Sequence, residues 1–337
     1  MEKILAGWEN LCGSSAMLRF LDINLRSIGQ VMFQNNPLTG MLFLAAIVWG
    51  SYASGAPRVA IAGVVAVIAA NLTAELLHVD TDSLHAGLYG FNGILVGLAL
   101  ATFLAPGLLL WVYVVLGAAV SVVVMLGTTN AVKPWGGALT FPFVLTTWLL
   151  LLATYGFSGL AGAALPTGRV VTAFQAYQGS PLQLIDLVQG VFLSISQVFL
   201  KASSIAALLL FAGLAVSSLA AAAFALGGAI LAVLTAHLFG AESDLITGGL
   251  LGFSPVLTAI ALGTVFYQPS WRVGVYTALG TMFTVIVQSA LNVALSPFAI
   301  PRERRDLWRN GSHCFCSADC SASSWATAAR SARSRSI

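Results

Sequence analysis

Long apolar runs alternate with short polar breaks along this chain. In the first half the runs lie near 19–34, 38–54, 58–77, 83–104, 108–127 and 139–157. Most approach the about 20 residues that carry a helix across the hydrocarbon core of a bilayer. The fourth run differs, because it opens on GLYGFNG (87–93), with three glycines in seven residues. Glycine costs about 1 kcal/mol in a helix interior, so this segment is expected to enter the membrane as a half-helix and turn back. Such a segment exposes backbone groups, which is tolerable only inside protein or beside a cavity.

The pattern is written twice. GLYGFNGILVGLALAT (87–102) returns as GLLGFSPVLTAIALGT (249–264), with half of the sixteen positions identical. AELLHVDTD (74–82) matches AHLFGAESD (236–244) at the same offset of 162, whereas SIGQV (27–31) matches SISQV (194–198) at 167. The five-residue loss is expected in the turn around SYASGAPR, since turns absorb deletions best. Two homologous halves follow, 1–157 and 185–301, joined by a linker over 158–184. Each is expected to hold about five spans and one re-entrant helix. The odd number inverts the second half, so the two broken helices would meet near the bilayer midplane, where inverted repeats place their sites.

Composition fixes the class as all-α and polytopic. Apolar residues are 58 % of the chain, charged residues 8 %, and mean hydropathy is +0.90. Soluble proteins carry about 25 % charged residues, so this surface faces lipid. Only eight of the fifteen Lys and Arg precede residue 302, which leaves no room for a soluble domain. The opening MEKILAGWENLCGSS lacks the features of a signal peptide and reads as an amphipathic lead-in. Cys12 is the only cysteine before the tail, so no disulfide framework is expected. No nucleophile–base pair, phosphate loop or cofactor motif stands out; an enzyme, a cofactor and a nucleic-acid partner are not expected. Glu75, His78, Asp80, Asp82 and His85, answered by His237, Glu242 and Asp244, are candidates for a proton relay or metal site. Their turn-like spacing instead favours a capping loop with Asp82 or Ser83 as N-cap.

QVMFQNNPLTG (30–40), GLYGFNGILVGLAL (87–100) and KPWGGALTFPFVLTTW (133–148), with repeats in the second half, resemble the urea transporter family over about residues 19–301. The resemblance implies a passive, channel-like path for urea through an inverted repeat, one path per subunit of a homotrimer in the cell (inner) membrane. It puts Gln30 and Gln197 at the two mouths, each hydrogen-bonded to a urea. Phe33 becomes a mouth aromatic with Leu200 at its repeat position. Phe91 and Phe253 line slots, Leu95 and Leu257 lie toward the middle, and Thr140 offers a midplane hydroxyl. The residues themselves fit a planar, neutral, polar solute: flat apolar walls pass it, and oxygen acceptors replace its water, since burying an unsatisfied amide costs roughly 2–7 kcal/mol. Each residue has a plainer reading. The phenylalanines can pack or face lipid, the glutamines can be solvated, and Thr140 can bond its own backbone. Asn35, Asn36 and Pro37 read as a helix-entry turn.

The second half does not close as the first does. A counterpart of ALTFPFVLTTW is due after Pro301, yet 302–337 hold seven arginines and three cysteines instead. A central arginine costs about 2.5–3.5 kcal/mol on insertion, so the last span is expected to be missing. The tail reads as a basic cytoplasmic segment drawn to anionic lipid, as a metal knuckle from His313, Cys314, Cys316 and Cys320, or as a departure from the ancestral reading frame after Pro301; the abrupt change favours the last. Alternatives for the whole chain are a channel for ammonia or short amides, and a membrane scaffold that no longer conducts.

Overall fold

The computed structural model describes residues 2–132, 137–160, 162–163 and 181–295. Most of the expected linker, the position due to the last span and the whole tail, with its candidate metal ligands, lie outside the described residues. The first half holds α1 (Glu2–Ser14), α2 (Ala16–Gln30), α3 (Pro37–Ala53), α4 (Pro57–Leu76), α5 (Thr81–His85), α6 (Phe91–Phe103), α7 (Leu108–Val132) and α8 (Phe141–Thr154). The second holds α9 (Leu184–Ser196) with a 3-10 turn (Gln197–Phe199), α10 (Ser204–Ser217), α11 (Leu219–Leu238), α12 (Ser243–Thr247), α13 (Phe253–Ile260) with a π-helical turn (Ala261–Val265), and α14 (Trp271–Ala294).

Among the described residues α4, α7, α11 and α14 are long and apolar enough to cross a membrane, and α9 with α10, bent by 74°, can make a fifth span. The protein is thus an all-α, polytopic membrane protein. The lead-in is the helix α1, tied to α2 where Trp8 Nε1 donates to Asp22 Oδ1 at 2.7 Å.

Side-chain chemistry sets the helix starts. Asn36 Oδ1 accepts the Leu38 N–H at 2.9 Å with Pro37 in the first turn, so the expected entry turn opens α3. Ser203 and Ser218 cap α10 and α11 in the same way. The cap of α5 is Asp80, not Asp82 or Ser83: the chain is still extended at Asp80 (ψ 122), and Ser83 supplies the donor at 2.9 Å.

Elements recur at the offsets of the sequence motifs. α3 and α10 begin 167 residues apart, α4 and α11 162 apart. The five-residue loss is not confined to the turn. α10 is three residues shorter than α3, 14 against 17, and Ser218 alone stands where residues 54–56 connect α3 to α4. Left-handed backbone recurs as well, at Phe33 and Leu200, at His78 and Gly240, and at Gly87 and Gly249.

The halves meet through α3 and α10. Thr39 Oγ1, at the start of α3, donates to Gly213 O near the end of α10 at 2.8 Å. The Lys201 stem, just before α10, lies against Gly50 near the end of α3. The two helices therefore run antiparallel, with Phe43 and Phe199 edge to face at 5.5 Å between them. Small residues set the approach of each broken helix to its long neighbour. A Cβ on Gly97 of α6 would lie 2.5 Å from the Ala66 methyl of α4; a Cβ on Gly228 of α11 would lie 2.5 Å from the Ala259 methyl of α13. Positions 66 and 228, and 97 and 259, are each 162 apart, so glycine and alanine have exchanged helices across one crossing.

Candidate functional site

Gln30 closes α2 and Gln197 begins the 3-10 turn after α9. Gln30 Nε2 donates to Ala86 O at 2.9 Å and Gln197 Nε2 to Gly248 O at 3.0 Å. These carbonyls, 162 residues apart, belong to the residues that end α5 and α12. Each glutamine thus ties a helix end to the turn that leads into a short apolar helix, through one of its two Nε2–H donors. The second N–H and the amide oxygen remain. Gln197 is 1 % exposed, and its Oε1 is buried with no hydrogen-bond partner among the described residues.

Three residues past each glutamine the backbone turns left-handed, at Phe33 (φ 61) and Leu200 (φ 56). That conformation costs about 1–2 kcal/mol for a residue with a Cβ. Both side chains are half-buried and pack on the main core. Phe91 and Phe253 are the first residues of α6 and α13. Leu95 and Leu257 follow one turn later. The two ends are not equally enclosed: Phe91 and Leu95 are 6 % and 2 % exposed, whereas Phe253 and Leu257 are half-buried.

Thr140 stands at the N-cap position of α8. Its hydroxyl makes no hydrogen bond among the described residues, so the plainer alternative, a bond to its own backbone, is not seen there. Asn92 positions this turn, a role the sequence reading missed. Fully buried, it donates from Nδ2 to Leu139 O at 3.3 Å and accepts the Phe143 N–H on Oδ1 at 3.1 Å. Its only signal was an amide inside the glycine motif, where the second half has Ser254.

Charge lies around the ends. Arg26 pairs with Asp22 at 2.7 Å and donates to Asn35 Oδ1 at 2.9 Å. Lys201, one residue past Leu200, is 4 % exposed, and its side chain meets no acid among the described residues. Glu75, His78, Asp80, Asp82 and His85 are all exposed, as a capping loop requires. Hydrogen bonds from the Ser83 side chain and backbone hold the Asp80 carboxyl below its ordinary value. Acid and histidine in this loop assemble around that cap. One cavity of about 330 Å³ lies between α11, α13 and α14, and another of about 160 Å³ beside the start of α2. Neither is lined by Gln30, Gln197, Phe33, Phe91, Phe253 or Thr140; Asn71 lines the smaller one.

Residues 21–302 match the family model described as Urea transporter. The chain is 26 % identical to Urea transporter 1 of Ovis aries over 303 residues, covering 89 % of this chain and 77 % of that protein. It is 26 % identical to Urea transporter 1 of Rattus norvegicus over the same shares. It is 27 % identical to Urea transporter 1 of Mus musculus over 286 residues, 84 % of this chain and 72 % of that protein.

Proposed function

The chain belongs to the urea transporter family, and we propose that it carries urea along a narrow path between its two halves, with Gln30 at one mouth and Gln197 at the other. As a member it is a multi-pass membrane transporter that moves its solute passively, without a chemical step.

The observation that carries the reading is the orphaned Gln197 Oε1. A buried acceptor without a donor is costly, on the order of 1–3 kcal/mol, and it suits a ligand rich in N–H groups. Urea brings four N–H donors and one carbonyl. Each glutamine can offer its amide oxygen while one Nε2–H holds the backbone, and the Thr140 hydroxyl adds a third polar atom midway. Phe91 and Phe253, with Phe33 and Leu200 at the mouths and Leu95 and Leu257 between, supply flat apolar walls for a planar molecule. The antiparallel packing of α3 on α10 and the repeated left-handed positions support inverted halves, 1–157 and 185–301, with the broken helices α6 and α13 facing one another. Assembly as a homotrimer in the cell membrane completes the reading.

Gln197→Met keeps the length of the side chain and removes the acceptor together with the Nε2 bond to Gly248 O. Losing one hydrogen bond of about 1.4 kcal/mol is tenfold in rate. Urea permeability of proteoliposomes is therefore expected to fall about tenfold in this variant, while water permeability stays at the lipid value. Undiminished urea flux would contradict the role given to Gln197.

A further inference from the structure

We propose that Asn71 is a positioning residue which, with Asn24 and Ser27, makes the slot at the Gln30 end the stricter size filter of the two. This rests on the urea path described above and assigns its discrimination to one end.

Asn71 lies on α4 and is 1 % exposed. Its Nδ2 donates to Asn24 Oδ1 and to Ser27 Oγ, both at 3.1 Å, and the Ser27 hydroxyl donates to Asn71 Oδ1 at 3.3 Å. Three buried polar side chains thus lock the end of α2 to α4. Satisfied buried networks rigidify what they join. What rests on this one is Gly90, the residue before Phe91. A Cβ there would lie 2.5 Å from Ser27 Oγ and 2.7 Å from both Asn71 amide atoms. The backbone that aims the Phe91 ring is seated directly on the network.

The other end lacks it. At the same offsets Asn24 becomes Val191 and Asn71 becomes Val233, while Ser27 is kept as Ser194. Ser194 Oγ turns back to Gly190 O of its own helix at 2.7 Å, and the valines join an apolar cluster. The atoms nearest to a Cβ on Gly252, the equivalent of Gly90, all belong to Ser194. A slot held to a fraction of an ångström can refuse one extra methyl, and one methylene is worth roughly 10–200-fold in a tight pocket.

The test compares urea and N-methylurea fluxes in proteoliposomes. Asn24→Val/Asn71→Val imports the pair the second half uses; replacing both asparagines by apolar groups of like shape is close to neutral for folding provided Ser27 turns to the carbonyl four residues back, as Ser194 does to Gly190 O. The expected result is urea flux within about twofold of the parent, an unchanged melting temperature, and a urea-to-methylurea ratio lowered about tenfold. An unchanged ratio, or both fluxes falling together with the melting temperature, would overturn the assignment. If the double variant does not fold, Val191→Asn/Val233→Asn decides: it is expected to raise the ratio by firming the seat of Gly252, and no change overturns the proposal. A parent protein that carries neither solute would instead sink the urea reading itself.

Discussion

A carboxamide offers two donors and an acceptor, and at both proposed mouths the protein engages one of the donors itself. Nε2 of Gln30 and Gln197 holds a backbone carbonyl, and this orients the oxygen that is left. Asn92 works in the same manner with both of its ends, on Leu139 O and Phe143 N. Asn92→Ala would strip two part-buried backbone groups of their partners, at up to about 1–3 kcal/mol each. A clear drop in the melting temperature of the detergent-solubilised protein is expected, with reduced urea flux as Thr140 loses its place. An unchanged melting temperature would show that those groups find water. At this scale the sequence revealed residue types but not partners. Gln30 and Gln197 were visible as repeated glutamines at span ends; that each binds the residue ending a short helix 51 or 56 positions away is a tertiary fact. Asn92 and Asn71 were hidden for the same reason, since a lone asparagine in an apolar run names no partner.

Among the elements, the starts of two short apolar helices were the most legible. Glycine-rich stretches at 87–93 and 248–252 interrupt longer apolar runs; α13 begins just past the second, and α6 begins at Phe91, inside the first. The cap of α5 was misplaced by two residues because Asp80, Asp82 and Ser83 are equivalent in propensity, and only the extended backbone at Asp80 separates them. The five-residue loss was set wholly in a turn because turns are the usual place; it took three residues from a helix end as well. The exchanged glycine–alanine crossings invite a direct test. Gly228→Ala puts two methyls 2.5 Å apart, and overpacking of this kind costs about 1–3 kcal/mol. Adding Ala259→Gly removes the obstructing methyl, while the remaining neighbours, Pro255 O at 3.4 Å and Val256 Cα at 3.6 Å, are ordinary contacts. The single variant is expected to melt lower and the double variant to recover most of the loss. Equal losses in both would mean the crossing is not limited by that pair.

For the whole molecule, composition decided the class before any element was drawn, because 8 % charged residues cannot clothe a soluble protein of 337 residues. Span length was less secure. The runs at 38–54 and 139–157 form helices of 17 and 14 residues rather than full spans, since local turns and caps, not hydropathy, end them. The offset and the odd number of spans led to the expectation of inverted halves; which helices meet, α3 against α10 in opposite directions, needs the structure. The central claim is a path for urea between those halves. Stopped-flow urea permeability of proteoliposomes holding this chain, against empty liposomes of the same lipid, tests it most directly. Fast urea flux with a weak temperature dependence is predicted, as a preformed path requires. Urea flux equal to that of the bare lipid would contradict it.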